Sequence, residues 1–64
     1  MTRAANTQAK PLLEKAIAID PGFARAHAIL GHVYLASSLN HWSDDPTADE
    51  RRGLEFAQKA VQLN

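Results

Sequence analysis

The chain has 64 residues, seven basic and seven acidic side chains, and no cysteine, which leaves room for one small domain and for no disulfide, thiolate nucleophile or cysteine-bound zinc. Zero net charge argues against a nucleic-acid or anionic-membrane surface, since both draw on an excess of Lys and Arg. Twelve of the 29 hydrophobic residues are alanine and no run nears the ~20 apolar residues that span a bilayer, so the expectation is a soluble, cytoplasmic chain whose thin interior is built by close helix contact.

The first segment sets Ala9, Leu12, Leu13, Ala16 and Ile17 at i, i+3, i+4, i+7, i+8, one apolar helix face. Pro11 conflicts with a long helix, because an internal proline removes a bond and clashes with the preceding turn at ~3 kcal/mol. A helix starting at Pro11 and an Asn6-capped helix kinked there compete; we take the second, over about residues 6–20. Asp20-Pro21-Gly22 then ends it, with Pro21 disfavouring helical geometry at Asp20 and Gly22 free to take whatever φ the turn needs.

The second segment, a helix over about residues 23–39, is apolar round most of its circumference through Ala26, Ala28, Ile29, Leu30, Val33, Tyr34, Leu35 and Ala36. Such a helix is covered on more than one side. Arg25, His27 and His32 are its exceptions. Residues 38–46 read as a loop rich in turn formers. The third helix spans about residues 46–63. Asp45-Pro46 offers an N-cap followed by proline at the first helical position, and Thr47 to Glu50 offers a rival capping box. Leu54, Ala57, Ala60 and Val61 make its apolar stripe, widened by Phe56, while Arg51, Arg52, Glu55 and Lys59 face solvent. The fold class is all-α: three helices in antiparallel hairpins.

A repeat lies in the spacing. Ala9-x3-Leu13-x2-Ala16-x4-Pro21 is followed, six residues on, by His27-x2-Leu30-Gly31-x2-Tyr34, and Gly53-x3-Ala57-x2-Ala60 restates the first of these. Glycine costs roughly 1 kcal/mol against alanine inside a helix, so Gly31 and Gly53 point to places where paired helices approach too closely for a Cβ. Leu30 and Tyr34, at i and i+4, share the face between the paired helices.

These spacings resemble the tetratricopeptide repeat (TPR) family, with His27 in place of the family's tryptophan. The resemblance implies an α–α superhelix of about one and a half repeats, beginning in the second helix of one repeat and holding both helices of the next. Ala16 and Ala60 are 44 residues apart against a repeat of ~34, so about ten residues are inserted between the paired helices. That insertion, with Trp42-Ser43-Asp44-Asp45-Pro46 before Leu54-Glu55-Phe56-Ala57-Gln58-Lys59-Ala60, resembles the repeat region of bacterial class III adenylate/guanylate cyclases and related multidomain regulators. The stretch from Leu13 to Ala26 is similar too. Repeat arrays need about three units for stability. The uncovered helix faces therefore lead us to expect adjoining repeats or a homo-oligomer in which another copy covers Leu12, Leu13 and Ile17.

The resemblance also implies a non-catalytic module that binds a protein or peptide on a concave face, carried here by Arg25, Ala28, His32, Leu35 and Ala36. A structural spacer within a larger regulator is the alternative. No cofactor and no metal is expected: His27 and His32 stand about 140° apart on a helix, and His41 sits in the loop. Asp44 and Asp45, before Pro46, read as helix capping rather than as a catalytic pair. Asp49, Glu50, Arg51 and Arg52 read as a solvated face. Trp42 is expected to anchor the inserted loop rather than to wait for a partner.

Overall fold

The computed structural model describes residues 2–63. Its first helix, α1 (Arg3–Ile19), starts earlier than the Asn6 cap would place it, because Thr2 caps it: the Thr2 hydroxyl accepts from the Ala5 amide at 3.1 Å. The helix runs on through Pro11, which is exposed. Asn6 does other work. It is 1% exposed, its amide nitrogen donates to the Val33 carbonyl (2.8 Å) and its amide oxygen accepts from the Ser37 hydroxyl (2.6 Å). An asparagine side chain can donate and accept at once, so it satisfies both ends of a buried contact.

Asp20, not glycine freedom, shapes the first turn. Its carboxylate accepts from the Gly22 amide (3.2 Å) and its carbonyl from the Phe23 amide (3.0 Å). No described glycine has a positive φ, so Gly22 needs no special geometry.

The second helix, α2 (Ala24–Leu39), has no side-chain cap at its start and a well-formed one at its end. The His41 amide donates to the Ser38 carbonyl (3.3 Å) and the Trp42 amide to the Ser37 carbonyl (2.9 Å). This crossed pair is a Schellman motif, which needs a left-handed residue just past the helix. His41 holds that place at φ 58°. A residue with a Cβ is strained there by about 1–2 kcal/mol. His41→Gly should therefore raise stability by about 0.5–1 kcal/mol after the extra chain entropy of glycine is set against the relief. An unchanged or lower urea midpoint would show that the turn carries no strain.

The third helix, α3 (Pro46–Leu63), starts at Pro46 because the Asp45 carboxylate accepts from the Ala48 amide at 3.2 Å. Among the described residues all regular structure is helical. The helix α2 lies between the others and packs more extensively on α3 than on α1. Leu30 and Val33 are fully buried, with Ala26, Tyr34 and Ala60 nearly so.

The α2–α3 seam is closed by two glycines. A Cβ on Gly31 would lie 2.9 Å from the Gly53 carbonyl oxygen and 3.1 Å from the Ala57 amide nitrogen. One on Gly53 would lie 2.6 Å from Leu35 Cγ and 3.0 Å from the Gly31 carbonyl oxygen. The two backbones approach closely there, with the Leu35 side chain lying over Gly53.

Leu12 points outward, 69% exposed, on the uncovered face of α1. Two sequence expectations are corrected. Leu54 and Val61, read as part of the apolar stripe of α3, also point outward, 51% and 76% exposed. The inward side of α3 instead carries Asp49, Gly53 and Ala60, with Phe56 and Ala57 partly covered. Asp49 is thus buried and lies 3.8 Å from the Lys10 ammonium, not on a solvated face.

Candidate functional site

Along α2, Arg25, Ala28 and His32 are exposed, while Leu35 and Ala36 are partly buried. Arg25 and Ala28 meet Ala24, Ala60 and Val61 round an open groove of about 500 Å³ between the start of α2 and the end of α3. The small residues make the floor and Arg25 supplies the charge. Leu35 is not brought to this groove. It lies over Gly53 and belongs to the packing of the helix pair.

The positions read as repeat packing fall into two groups. Leu30, Gly31, Tyr34, Gly53 and Ala60 are buried, and Ala57 flanks the glycine crossing. Ala9, Leu13 and Ala16 on α1 are only partly covered, and Pro21 is exposed. His27 is 6% exposed and pairs through Nε2 with the Pro21 carbonyl (3.0 Å), which ties the turn to α2. Its ring lies 6.0 Å from that of Phe56, and its buried Nδ1 has no hydrogen-bond partner. Because a carbonyl can only accept, Nε2 is the nitrogen that donates in this bond.

A second hollow, of about 360 Å³, lies where the inserted loop meets α1 and α3, and is lined by Lys10, Trp42, Ser43, Asp44, Asp45, Ala48, Asp49 and Arg52. Trp42 is partly buried in its wall. Beside it, the Tyr34 ring stacks on Phe56 with centroids 5.7 Å apart and planes 8° apart. The Lys10 ammonium is 4.9 Å, and the Arg52 guanidinium 5.9 Å, from the Tyr34 centroid. Sequence reasoning missed this stack. Its signal was present, since Lys10 recurs with Asn6, Leu13 and Ile17 at helical spacing.

The Tyr34 hydroxyl donates to the Glu14 carboxylate at 2.8 Å. Burial raises its pKa above the ordinary 10.0, and the Glu14 bond and charge raise it further, while Arg52 opposes the rise. The consequence has a definite sign. Below pH 10 the phenol is neutral in both states, so its stabilisation is full. Above that, the unfolded chain loses the proton first, and stability falls as pH rises toward the higher folded-state value. Urea melts between about pH 8 and pH 11 should show this loss in the wild type and a smaller one in Tyr34→Phe. Equal slopes would remove Tyr34 from the account.

No metal constellation forms among the described residues. His32 and His41 are exposed on separate elements from each other, and no group of three His, Cys, Asp or Glu side chains could hold a metal ion. Asp44 is exposed and Asp45 caps α3. No described helix is long and apolar enough to cross a membrane.

No family model and no solved structure matches the chain. One similar protein, from Rhizobium meliloti (strain 1021), carries the name "Putative adenylate cyclase 3". It is 32% identical over 57 residues, covering 89% of this chain and 10% of that protein. The chain thus spans about a tenth of the relative's length.

Proposed function

We propose that the chain is a non-catalytic, tetratricopeptide-type interaction module of a larger bacterial regulator, working in the cytoplasm and taking a peptide or helix along the exposed side of α2. The observation that carries the reading is the groove in which Arg25 stands beside Ala24, Ala28, Ala60 and Val61. An alanine floor admits an apolar side chain, and an exposed guanidinium beside it favours a neighbouring carboxylate. His32, one turn further along α2, extends the same exposed side with a group that donates or accepts. The glycine crossing of α2 and α3 supports the repeat reading, because it puts the two smallest residues of the repeat pattern against each other.

A random-peptide display library selected against the chain tests this directly. The expected binders combine an acidic with an apolar residue, and lose at least about tenfold in affinity to both Arg25→Glu and Ala28→Trp. Binders indifferent to both substitutions would overturn it.

The second reading, a structural spacer in such a regulator, is favoured by a different observation: the similarity covers a tenth of a protein named as a cyclase. A spacer would hide the groove against neighbouring segments of the parent chain. Arg25→Glu would then change the stability of a longer parent fragment and no peptide affinity.

A further inference from the structure

Two apolar strips are left uncovered, one on each outer helix. On α1, Leu12 and Ile19 are 69% and 77% exposed; on α3, Leu54 and Val61 are 51% and 76% exposed. Each pair is seven residues apart, so each strip is two helical turns, about 10.5 Å, long. Because Asn6 meets Val33 and Ser37, and Gly31 meets Gly53, both outer helices run antiparallel to α2 and hence parallel to each other.

The strips look in opposite directions. At about 100° per residue, Lys10 lies ~160° round α1 from Leu12, and Asp49 ~140° round α3 from Leu54. The Lys10–Asp49 pair is where α1 and α3 reach each other, so both strips are turned away from that side. They therefore cannot cover one another within one chain.

They can between chains. With Leu12 on Leu54 and Ile19 on Val61 in parallel register, Lys15 and Glu55, both exposed, fall on the same side of the seam and within a turn of each other. Equal spacing, equal direction and opposite charge all match.

We infer that the chain associates head to tail with second copies of itself, the Leu12–Ile19 strip of one copy seated on the Leu54–Val61 strip of the next. The two surfaces differ, so the contact is heterologous and extends into chains of copies as concentration rises. This goes beyond the peptide-binding reading and shares with it only Val61, which lines the groove and ends the α3 strip; Leu12→Glu with Ile19→Glu, which leaves every groove residue in place, separates the two.

Sedimentation velocity on the full chain decides it, with circular dichroism to verify that each variant is helical. The wild type should grow in mass with concentration. Leu12→Glu with Ile19→Glu should be monomeric, as should Leu54→Glu with Val61→Glu. Mixed one to one, the two variants should form a dimer and nothing larger, because each retains the surface the other lacks. Lys15→Glu should weaken wild-type association about fivefold, and Glu55→Lys on the facing strip should restore it. A wild type that stays monomeric at millimolar concentration overturns the inference. So does a mixture that stays monomeric while the wild type assembles, since that pattern belongs to a self-complementary contact.

Discussion

Gly31→Ala is expected to destabilise the chain by about 2 kcal/mol, even though alanine is the better helix former. Propensity alone would favour the change by about 1 kcal/mol at an internal helix position. Against it stands the crossing, where the new Cβ would sit 2.9 Å from a carbonyl oxygen and 3.1 Å from an amide nitrogen, both backbone atoms of α3. No rotamer change relieves a clash with backbone. The helices must separate, at the upper end of the ~1–3 kcal/mol that overpacking costs. Separation also disturbs the Tyr34–Phe56 stack that lies along the same seam. A core of this size supplies only about 3–5 kcal/mol, so the melting temperature should fall by about 8–16 °C.

The sequence treats Gly31 and Gly53 alike, but the structure ranks them. A Cβ on Gly53 first meets Leu35 Cγ and Cδ2, at 2.6 and 2.9 Å, and only then the Gly31 carbonyl. Leu35 is partly exposed and can turn aside, so Gly53→Ala should cost less. Gly22→Ala is the control, since its nearest neighbour would be an Asp20 carboxylate oxygen at 3.7 Å. That variant should be neutral or gain about 0.5 kcal/mol. A Gly31→Ala melting temperature at or above the wild type would mean that the helices are not in contact at this point.

The parts of this fold that sequence reveals are those fixed by local chemistry. Asp45-Pro46 starts α3 because a carboxylate and a proline act within one turn. The glycine pair is legible because nothing but close contact compensates a glycine in mid-helix. The facing of each helix is less legible. Leu54 and Val61 are larger than the alanines of their stripe, yet the side turned to α2 carries Gly53 and Ala60, with Phe56 beside them on Tyr34. Periodicity finds an apolar face, whereas the close crossing at Gly31 and Gly53 selects the smallest residues there and leaves Leu54 and Val61 outside. The groove shows the same limit. Arg25 and Ala28 share it as expected neighbours on a helix, but Ala60 and Val61 come from a segment 30 or more residues away. Leu35 leaves the groove because the glycine opposite leaves a space that it fills.

Asn6 is where local and tertiary chemistry disagree most, and it carries the second large expected effect. Asparagine is a good N-cap, which is why the sequence points to it, but it sits four residues inside the helix that Thr2 caps. Asn6→Ala removes both bonds to α2 and leaves a void between the helices. The Ser37 hydroxyl can turn back to the Val33 carbonyl one turn before it, so no donor is stranded and the loss falls on the docking of α1. We expect about 2–3 kcal/mol, most of the stability available to a core of this size. Asn6→Leu combined with Ser37→Ala removes the polar groups from both sides at once, and such paired replacement is nearly neutral or stabilising. A leucine, however, has no reason to meet Val33 rather than another apolar residue on α2. The double variant should therefore melt near or above the wild type but less cooperatively, with the Trp42 fluorescence spectrum broadened because α1 no longer closes the hollow beside it in one register. A single-variant loss below about 0.5 kcal/mol would show that apolar contact alone seats α1. A double variant as cooperative as the wild type would show that the register is set elsewhere, for example by the Tyr34–Glu14 hydrogen bond and the Lys10 ammonium over the Tyr34 ring, which also tie these two helices.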